Sequence, residues 1–180
     1  MKSFKFLFFL FFLLYIVWPN NIIWAAEDVD TQTSIVVLSI PATCHLGITN
    51  QDQTKTLGQD GSAELAFEAG YTEFDLGKPT LTVSSNKNWK LTAKSSGFNT
   101  NGTYKKATGD LQLKDTGLSN VKNSFNAYKS LSDTDQEIAS SASGVKKESH
   151  PLQYQILLDY TKDIPATYTA TVTYTLATQP

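Results

Sequence analysis

The chain has 180 residues, with 15 lysine or arginine side chains against 17 aspartates and glutamates, which gives a formal net charge of −2 at pH 7. Every basic residue is a lysine, so no guanidinium group is available for bidentate contact with phosphate, carboxylate or guanine. This composition excludes the strongly basic surface that nucleic-acid binding needs, and we expect no nucleic-acid partner.

Residues 1–26 have the layout of a secretory signal peptide. Two lysines within residues 1–5 precede an unbroken apolar run, residues 6–18, and the small pair Ala25 and Ala26 offers a cleavage site after either residue. The run is short for a bilayer-spanning helix, and the alternative is an uncleaved amino-terminal anchor extended through residues 22–24. We expect residues 27–180 to form one secreted domain with no membrane span.

Cys44 is the only cysteine, so the chain cannot form an intramolecular disulfide even though the leader predicts export. Residues 27–180 are numerous enough to bury a core without such a cross-link. The fold is therefore expected to be held by packing. For Cys44 itself the pattern predicts a small, partly buried apolar residue, with intermolecular pairing as the main alternative.

Short runs of alternating polarity, bounded by turn-forming residues, recur along the mature chain, and no stretch repeats helical apolar spacing over three turns. This pattern predicts an all-β, immunoglobulin-like, two-sheet antiparallel β-sandwich. The polar stretches at 99–110 and 132–149 are expected to be long loops, the second with room for a helical turn. The predicted strands are 33–40, 62–67, 80–84, 89–93, 111–114, 152–160 and 167–176.

The last run, TYTATVTYTL, alternates threonine with Tyr168, Ala170, Val172, Tyr174 and Leu176. In an extended chain these five residues face one side and the threonines face the other. We expect the apolar side to line the core and the threonine side to be solvated or to face a partner. The run 152–160 precedes it across TKDIPA, so the two are predicted to pair as an antiparallel hairpin and to share one core.

No recognisable catalytic or metal-binding constellation accompanies these strands. His45 and His150 are the two candidate bases, and neither lies in a nucleophile signature. Cys44 and His45 are adjacent, which sends them to opposite faces of a strand, and the acidic residues of SDTDQE are expected to form a solvated loop. We therefore expect no enzyme, no cofactor and no metal site.

Two stretches, NWKLTAKSSG and PATYTATVTYTLATQP, resemble the two signatures of the WxL family of bacterial surface domains. Trp89 and Leu91 match the first Trp-any-Leu motif, and Tyr174 and Leu176 stand at the second, where Tyr174 replaces its tryptophan. The terminal strand is also similar to those of spore coat protein U-like and fimbria-like secreted domains. The WxL resemblance implies noncovalent attachment to the cell wall, through peptidoglycan, by these four motif positions.

Together these features predict a secreted, noncatalytic domain of a bacterial cell envelope or cell surface, acting in cell-wall attachment, adhesion or assembly. Its expected partners are peptidoglycan or another surface glycan, envelope proteins, or further copies of the chain, to which the run SIVVLSI could donate a strand as in chaperone-assembled pilus subunits. The alternative is a carbohydrate-binding module that uses the loops between 99 and 147, with Tyr104 and Tyr128 as aromatic platforms for a sugar.

Overall fold

The computed structural model describes residues 35, 37–58, 61–74, 77–99, 104–117 and 121–180, so the predicted leader lies outside the described residues. Residues 40–180 form one compact unit. None of the helices found in the described residues is both long enough and apolar enough to cross a membrane. The elements are β1 (Cys44–Thr49), α1 (Ser62–Ala69), β2 (Tyr71–Glu73), β3 (Thr80–Ser85), β4 (Trp89–Asn99), a 3-10 helix (Thr108–Asp110), β5 (Leu111–Asp115), β6 (Lys122–Asn123), β7 (Lys129–Ser130), β8 (Gln136–Ser141), β9 (Val145–Leu157) and β10 (Thr169–Thr178).

The strands form two antiparallel sheets, which confirms the predicted all-β sandwich. The first sheet has the order β1-β3-β9-β5-β7, with β2 also paired to β9, and the second has the order β10-β4-β8-β6. In an immunoglobulin sandwich one sheet has the order A-B-E-D and the other places strand F beside C. When the strands are lettered by their order along the chain, the neighbouring strands β1-β3-β9-β5 reproduce the order A-B-E-D. The pair β10 and β4 reproduces F beside C.

The core lies between the sheets and is built by period-two burial along their strands. In β3 and β5 every second residue is buried, because successive side chains of a strand point to opposite faces. The indole of Trp89 is fully buried and meets the ring of His150 edge-on, with 6.0 Å between the ring centroids. The buried apolar residues are Leu81, Val83, Trp89, Leu91, Ala93, Phe98, Leu111, Leu113, Phe125, Leu131, Ile138, Ala139, Leu152 and Tyr154.

The predicted strands 80–84, 89–93, 111–114, 152–160 and 167–176 each coincide largely with an observed strand. The prediction for residues 62–67 is wrong, because this stretch begins helix α1. Alanine, leucine and glutamate dominate it and are strong helix formers. Gly70 ends the helix in the left-handed region, with φ of 75°, and donates its backbone N–H to Phe67, a conformation that glycine adopts without strain.

The predicted hairpin between the last two strands is also wrong. β9 lies between β3 and β5 in the first sheet, whereas β10 pairs with β4 in the second. The expectation of a shared core is confirmed, because the hydroxyl groups of Tyr154 and Tyr174 hydrogen-bond to each other across the sandwich. Alternation along a strand specifies which side chains face inward, and it does not specify the partner strand.

Two further expectations need correction. Residues 35 and 37–40 have no regular secondary structure, and the rest of the predicted strand 33–40 lies outside the described residues. The predicted loop 132–149 contains β8 and the start of β9, and β8 buries Ile138 and Ala139 against the core. β8 pairs with β4, an inner strand of the second sheet, and this pairing stabilises β8 although its own sequence favours a strand only weakly.

Replacing Trp89 by alanine tests the core. Because the indole is fully buried, we expect Trp89→Ala to lower the free energy of unfolding by about 3–5 kcal/mol, from lost burial and the cavity left behind. Chemical denaturation followed by circular dichroism would measure the change. A loss below about 1 kcal/mol would contradict the burial of this side chain.

Replacing an exposed threonine provides the matched comparison on the other side of the same sheet. Thr171 is exposed on β10, so Thr171→Ala is expected to change the free energy of unfolding by less than about 1 kcal/mol. The same denaturation experiment measures it. A large loss would show that a second layer covers the threonine face.

Candidate functional site

Along one side of the sandwich, β1 is the edge strand of the first sheet and β10 is the edge strand of the second. At one end of this side the Sγ atom of Cys44 lies 3.9 Å from the carbonyl oxygen of Leu176. No ladder joins β1 to β10, and no described strand pairs with the outer edge of β10. We call this side, formed by the outer edges of Cys44–Thr49 and Thr169–Thr178, the seam.

Apolar side chains at the seam reach the core without being fully covered. Four inward residues of β10 and Leu46 of β1 pack against the buried core and are only half-buried, and Ile48 is 40% exposed. In an immunoglobulin sandwich the place beside strand F belongs to strand G. Among the described strands none occupies that place. The four β10 residues are Ala170, Val172, Tyr174 and Leu176.

The other face of β10 behaves as the sequence predicts. Thr169, Thr171, Thr173 and Thr175 are all exposed, and their hydroxyl groups keep the outer face of the sheet wettable. Every second residue of an edge strand also directs its backbone N–H and C=O away from its neighbour. The seam therefore combines unpaired backbone groups with partly uncovered apolar side chains.

A second apolar feature precedes β1. Ile35, Val37, Leu38 and Ile40 are 91%, 85%, 78% and 70% exposed, respectively. With Val36 between them, they belong to a run bounded by Ser34 and Pro41 in which both alternate faces carry apolar residues. Short continuous apolar runs of this kind are typical of strands buried within a sheet. Exposed apolar patches are a common feature of interaction sites.

The four motif residues are neighbours in the structure, because β4 and β10 pair. Leu91 lies opposite Leu176, and Tyr174 lies opposite Ala93. Trp89 and Leu91 are fully buried, so their contacts support the core and no sugar ring reaches them in this fold. Tyr174 and Leu176 are half-buried and belong to the seam. The hydroxyl end of Tyr174 is desolvated, which raises its pKa, and the neighbouring Tyr154 raises it further.

The two tyrosines named as sugar platforms take part in separate internal networks. Tyr104 donates its hydroxyl hydrogen to Oδ1 of Asp163 at 3.1 Å. Tyr128 donates to Oε1 of Glu73 at 2.8 Å, and the ammonium of Lys114 lies 5.6 Å from its ring centroid. These contacts engage polar and ring surfaces that a bound sugar would use, and they give the carbohydrate-binding alternative no support.

The histidines and the cysteine occupy contrasting environments. His150 is fully buried, and its Nδ1 lies 2.7 Å from Oδ2 of the buried Asp115. His45 is exposed on β1. Cys44 is also exposed, which corrects the expectation of partial burial, because it opens an edge strand whose partner lies on one side only. Within the part of the chain that the structure describes, no three His, Cys, Asp or Glu side chains gather to hold a metal ion.

Sequence reasoning missed the seam as a site. An open edge results from the choice of partner strands, and alternation does not specify that choice. The signal that was present is the run 35–40, which is apolar on both alternate faces in a chain whose strands mostly alternate. A strand with that composition needs neighbours on both faces.

No family model matches the chain, and no curated protein sequence matches it. The WxL resemblance therefore has no support from a family model. Among solved structures, one similar chain comes from a structure of a chaperone-usher pilus. It is 13% identical in sequence with a TM-score of 0.41, and the match covers 84% of this chain and 97% of that one. Likeness at this level supports no transfer of properties, and the sheet order described above stands on its own.

Alkaline pH provides a test of the Tyr154–Tyr174 contact. Burial raises the pKa of both phenols above the ordinary value of about 10, so the folded state favours their neutral forms. Their contribution to stability is fully present below pH 10 and is lost as the pH rises above it, by up to about 1.4 kcal/mol per pH unit for each tyrosine. Denaturation at a series of pH values would measure this slope.

A variant pair isolates the contribution of Tyr174 from that of other groups. Above pH 10 the free energy of unfolding of Tyr174→Phe should fall less steeply with pH than that of the chain without substitutions. Thr173→Val, on the outer face of the same strand, should show the full slope. Identical alkaline slopes for Tyr174→Phe and the unmodified chain would contradict the buried hydroxyl contact.

Proposed function

We propose that the chain is a noncatalytic structural subunit of an assembled polymer at a bacterial cell surface, and that its seam receives an apolar strand from a second copy. The supporting observation is the coexistence of two complementary surfaces in one chain. The seam has a partly covered apolar lining beside an unpaired strand edge, and the run 35–40, of strand-like composition, is exposed at its described apolar positions. The predicted leader supplies the route to the surface.

The dimensions of the two surfaces are compatible. A six-residue extended segment is about 20 Å long, and the ten residues of β10 span about 33 Å at the same rise. Residues 35–40 are therefore long enough to pair with more than half of the outer edge of β10. Backbone hydrogen bonds would supply affinity, and alternate side chains entering the seam would supply specificity, as in other strand additions.

Burial of apolar surface provides the driving force. Full burial of a valine, leucine or isoleucine side chain contributes about 1.5–3 kcal/mol relative to exposure. One alternate face of the run carries Val36, Leu38 and Ile40, and the other carries Ile35 and Val37. Insertion of the first face between the sheets would also cover the half-buried residues of β10.

The occupant is assigned to a second copy because of the short connection between the run and β1. Three residues, 41–43, separate Ile40 from β1, and Pro41 fixes its own φ and lacks a backbone donor. A chain that filled its own seam would have to reverse direction within these residues. Donation to a neighbouring copy needs no such reversal and propagates from subunit to subunit as a head-to-tail interface.

The size of the assembly tests this proposal. The chain, purified after export from a bacterial host with its amino terminus determined by mass spectrometry, is expected to form species that grow with concentration in light scattering. Leu38→Asp should weaken self-association by at least about tenfold, because a charge would replace a buried apolar group. A synthetic peptide of residues 33–40 should compete with assembly.

Ser39→Asp provides a matched control in the same run, because Ser39 lies on the face opposite Leu38 in an extended segment. It should assemble as the unmodified chain does. A chain that stays monomeric at every concentration, and whose stability is the same with and without Leu38→Asp, would contradict donation by this segment. A monomer that Leu38→Asp destabilises would show instead that the chain fills its own seam.

A further inference from the structure

A buried lysine lies between two carboxylates in the connections that lead into β5 and β10. The side chain of Lys106 is 2% exposed, and its Nζ atom lies 2.7 Å from Oδ2 of Asp163 and 3.1 Å from Oδ2 of Asp110. The side chain of Asp163 is 3% exposed and that of Asp110 is 28% exposed. Together with Tyr104, which contacts Asp163, these residues form what we call the lysine cluster.

The carboxyl group of Asp163 is held by contacts to both of its oxygens. Tyr104 donates its hydroxyl hydrogen to Oδ1 at 3.1 Å. The backbone N–H of Asp159 donates to Oδ2 at 2.9 Å. The aromatic ring of Tyr168 lies 6.0 Å from the Nζ atom of Lys106. The carboxyl group is therefore fixed beside the amine, and Cγ lies one covalent bond beyond an oxygen that already contacts Nζ.

As an ion pair, this arrangement carries a high desolvation cost. Two carboxylates face one ammonium, and two of the three charged side chains are almost completely removed from solvent. Buried charges lose hydration that a single partner compensates only in part. If the amine of Lys106 and the carboxyl of Asp163 condensed, both buried charges would disappear, and the remaining negative charge would lie on Asp110, the most exposed of the three charged side chains.

We propose that Lys106 and Asp163 are joined by an intramolecular isopeptide bond. The ammonium of Lys106 first transfers a proton to the Asp163 carboxylate, which gives a neutral amine and a carboxylic acid. Nζ then attacks Cγ, and the Nζ–Cγ bond forms as Oδ1 takes the negative charge. Asp110 accepts a second proton from Nζ and delivers it to the Oδ2 hydroxyl group, which leaves as water when the Cγ–Oδ2 bond breaks.

The reaction balances as one ammonium and one carboxylate giving one amide and one water, so no oxidant, reductant or cofactor is needed. Tyr104 donates to Oδ1, the atom on which negative charge develops, as an oxyanion-stabilising donor does. Partial burial, together with the hydrogen bond and negative charge of Asp163, raises the pKa of Tyr104 to about 12, so the phenol stays protonated at neutral pH. An open cleft of about 290 Å³ is lined by the cluster residues and gives the leaving water a path to solvent.

Peptide mass spectrometry tests the proposal on the exported chain. A protease digest should contain one branched species that joins the peptides carrying Lys106 and Asp163, lighter by one water molecule than their sum. The intact chain should be lighter by one water than its sequence requires from the observed amino terminus. Asp163→Asn should give the same amide with loss of ammonia in place of water, and Lys106→Arg should show the full sequence mass.

Two further variants separate the chemistry from the fold. Asp110→Asn should slow formation of the bond by about 100-fold if Asp110 relays the proton, and Asp110→Glu should restore part of the rate. Lys122→Ala removes an exposed ion pair with Glu137 and should leave the bond intact. The proposal would be overturned if the folded chain without substitutions showed its full sequence mass and gave separate peptides carrying Lys106 and Asp163. The same water loss in Lys106→Arg would also overturn it.

Discussion

The pairing of β10 with β4 is the constraint on which the rest of the structure depends. It places Leu176 opposite Leu91 and Tyr174 opposite Ala93, so the inward face of β10 continues the apolar face of β4. It also brings Tyr174 to Tyr154 of the facing sheet, which ties the two sheets together through their hydroxyl groups. Since β4 occupies one edge of β10 and no described strand occupies the other, the seam is a direct consequence of this pairing.

Local sequence predicted what depends on local chemistry. Alternation identified the inward side chains of β4 and β10, because neighbouring side chains of a strand point to opposite faces whichever strand lies beside it. Partner choice is a long-range property that alternation does not specify, and for this reason the predicted hairpin of β9 with β10 is wrong. Helix α1 was missed because eight residues are too few to show helical periodicity, although Gly61 and Gly70 mark both of its ends.

The candidate sites were predictable to different extents. The apolar run 35–40 is visible in the sequence, whereas its 70–91% exposure at the described apolar positions is a structural fact that changes its meaning from core strand to uncovered segment. The lysine cluster left almost no sequence signal. Lys106 and Asp110 have a four-residue spacing that many surface pairs share, and Asp163 is 57 residues from Lys106. Only the fold shows that these side chains meet away from solvent.

The proposed strand addition and the proposed isopeptide bond act on the same element from different directions. A strand added at the seam would pull on β10, whose backbone ladder is with β4 alone among the described strands. Asp163 lies in the connection that enters β10, and Lys106 lies in the connection between β4 and β5. A covalent bond between them would anchor the entry of β10 to the segment that follows its own partner strand. The covalent bond would then oppose peeling of this connection. The single cysteine of the chain cannot form an internal disulfide that would do the same.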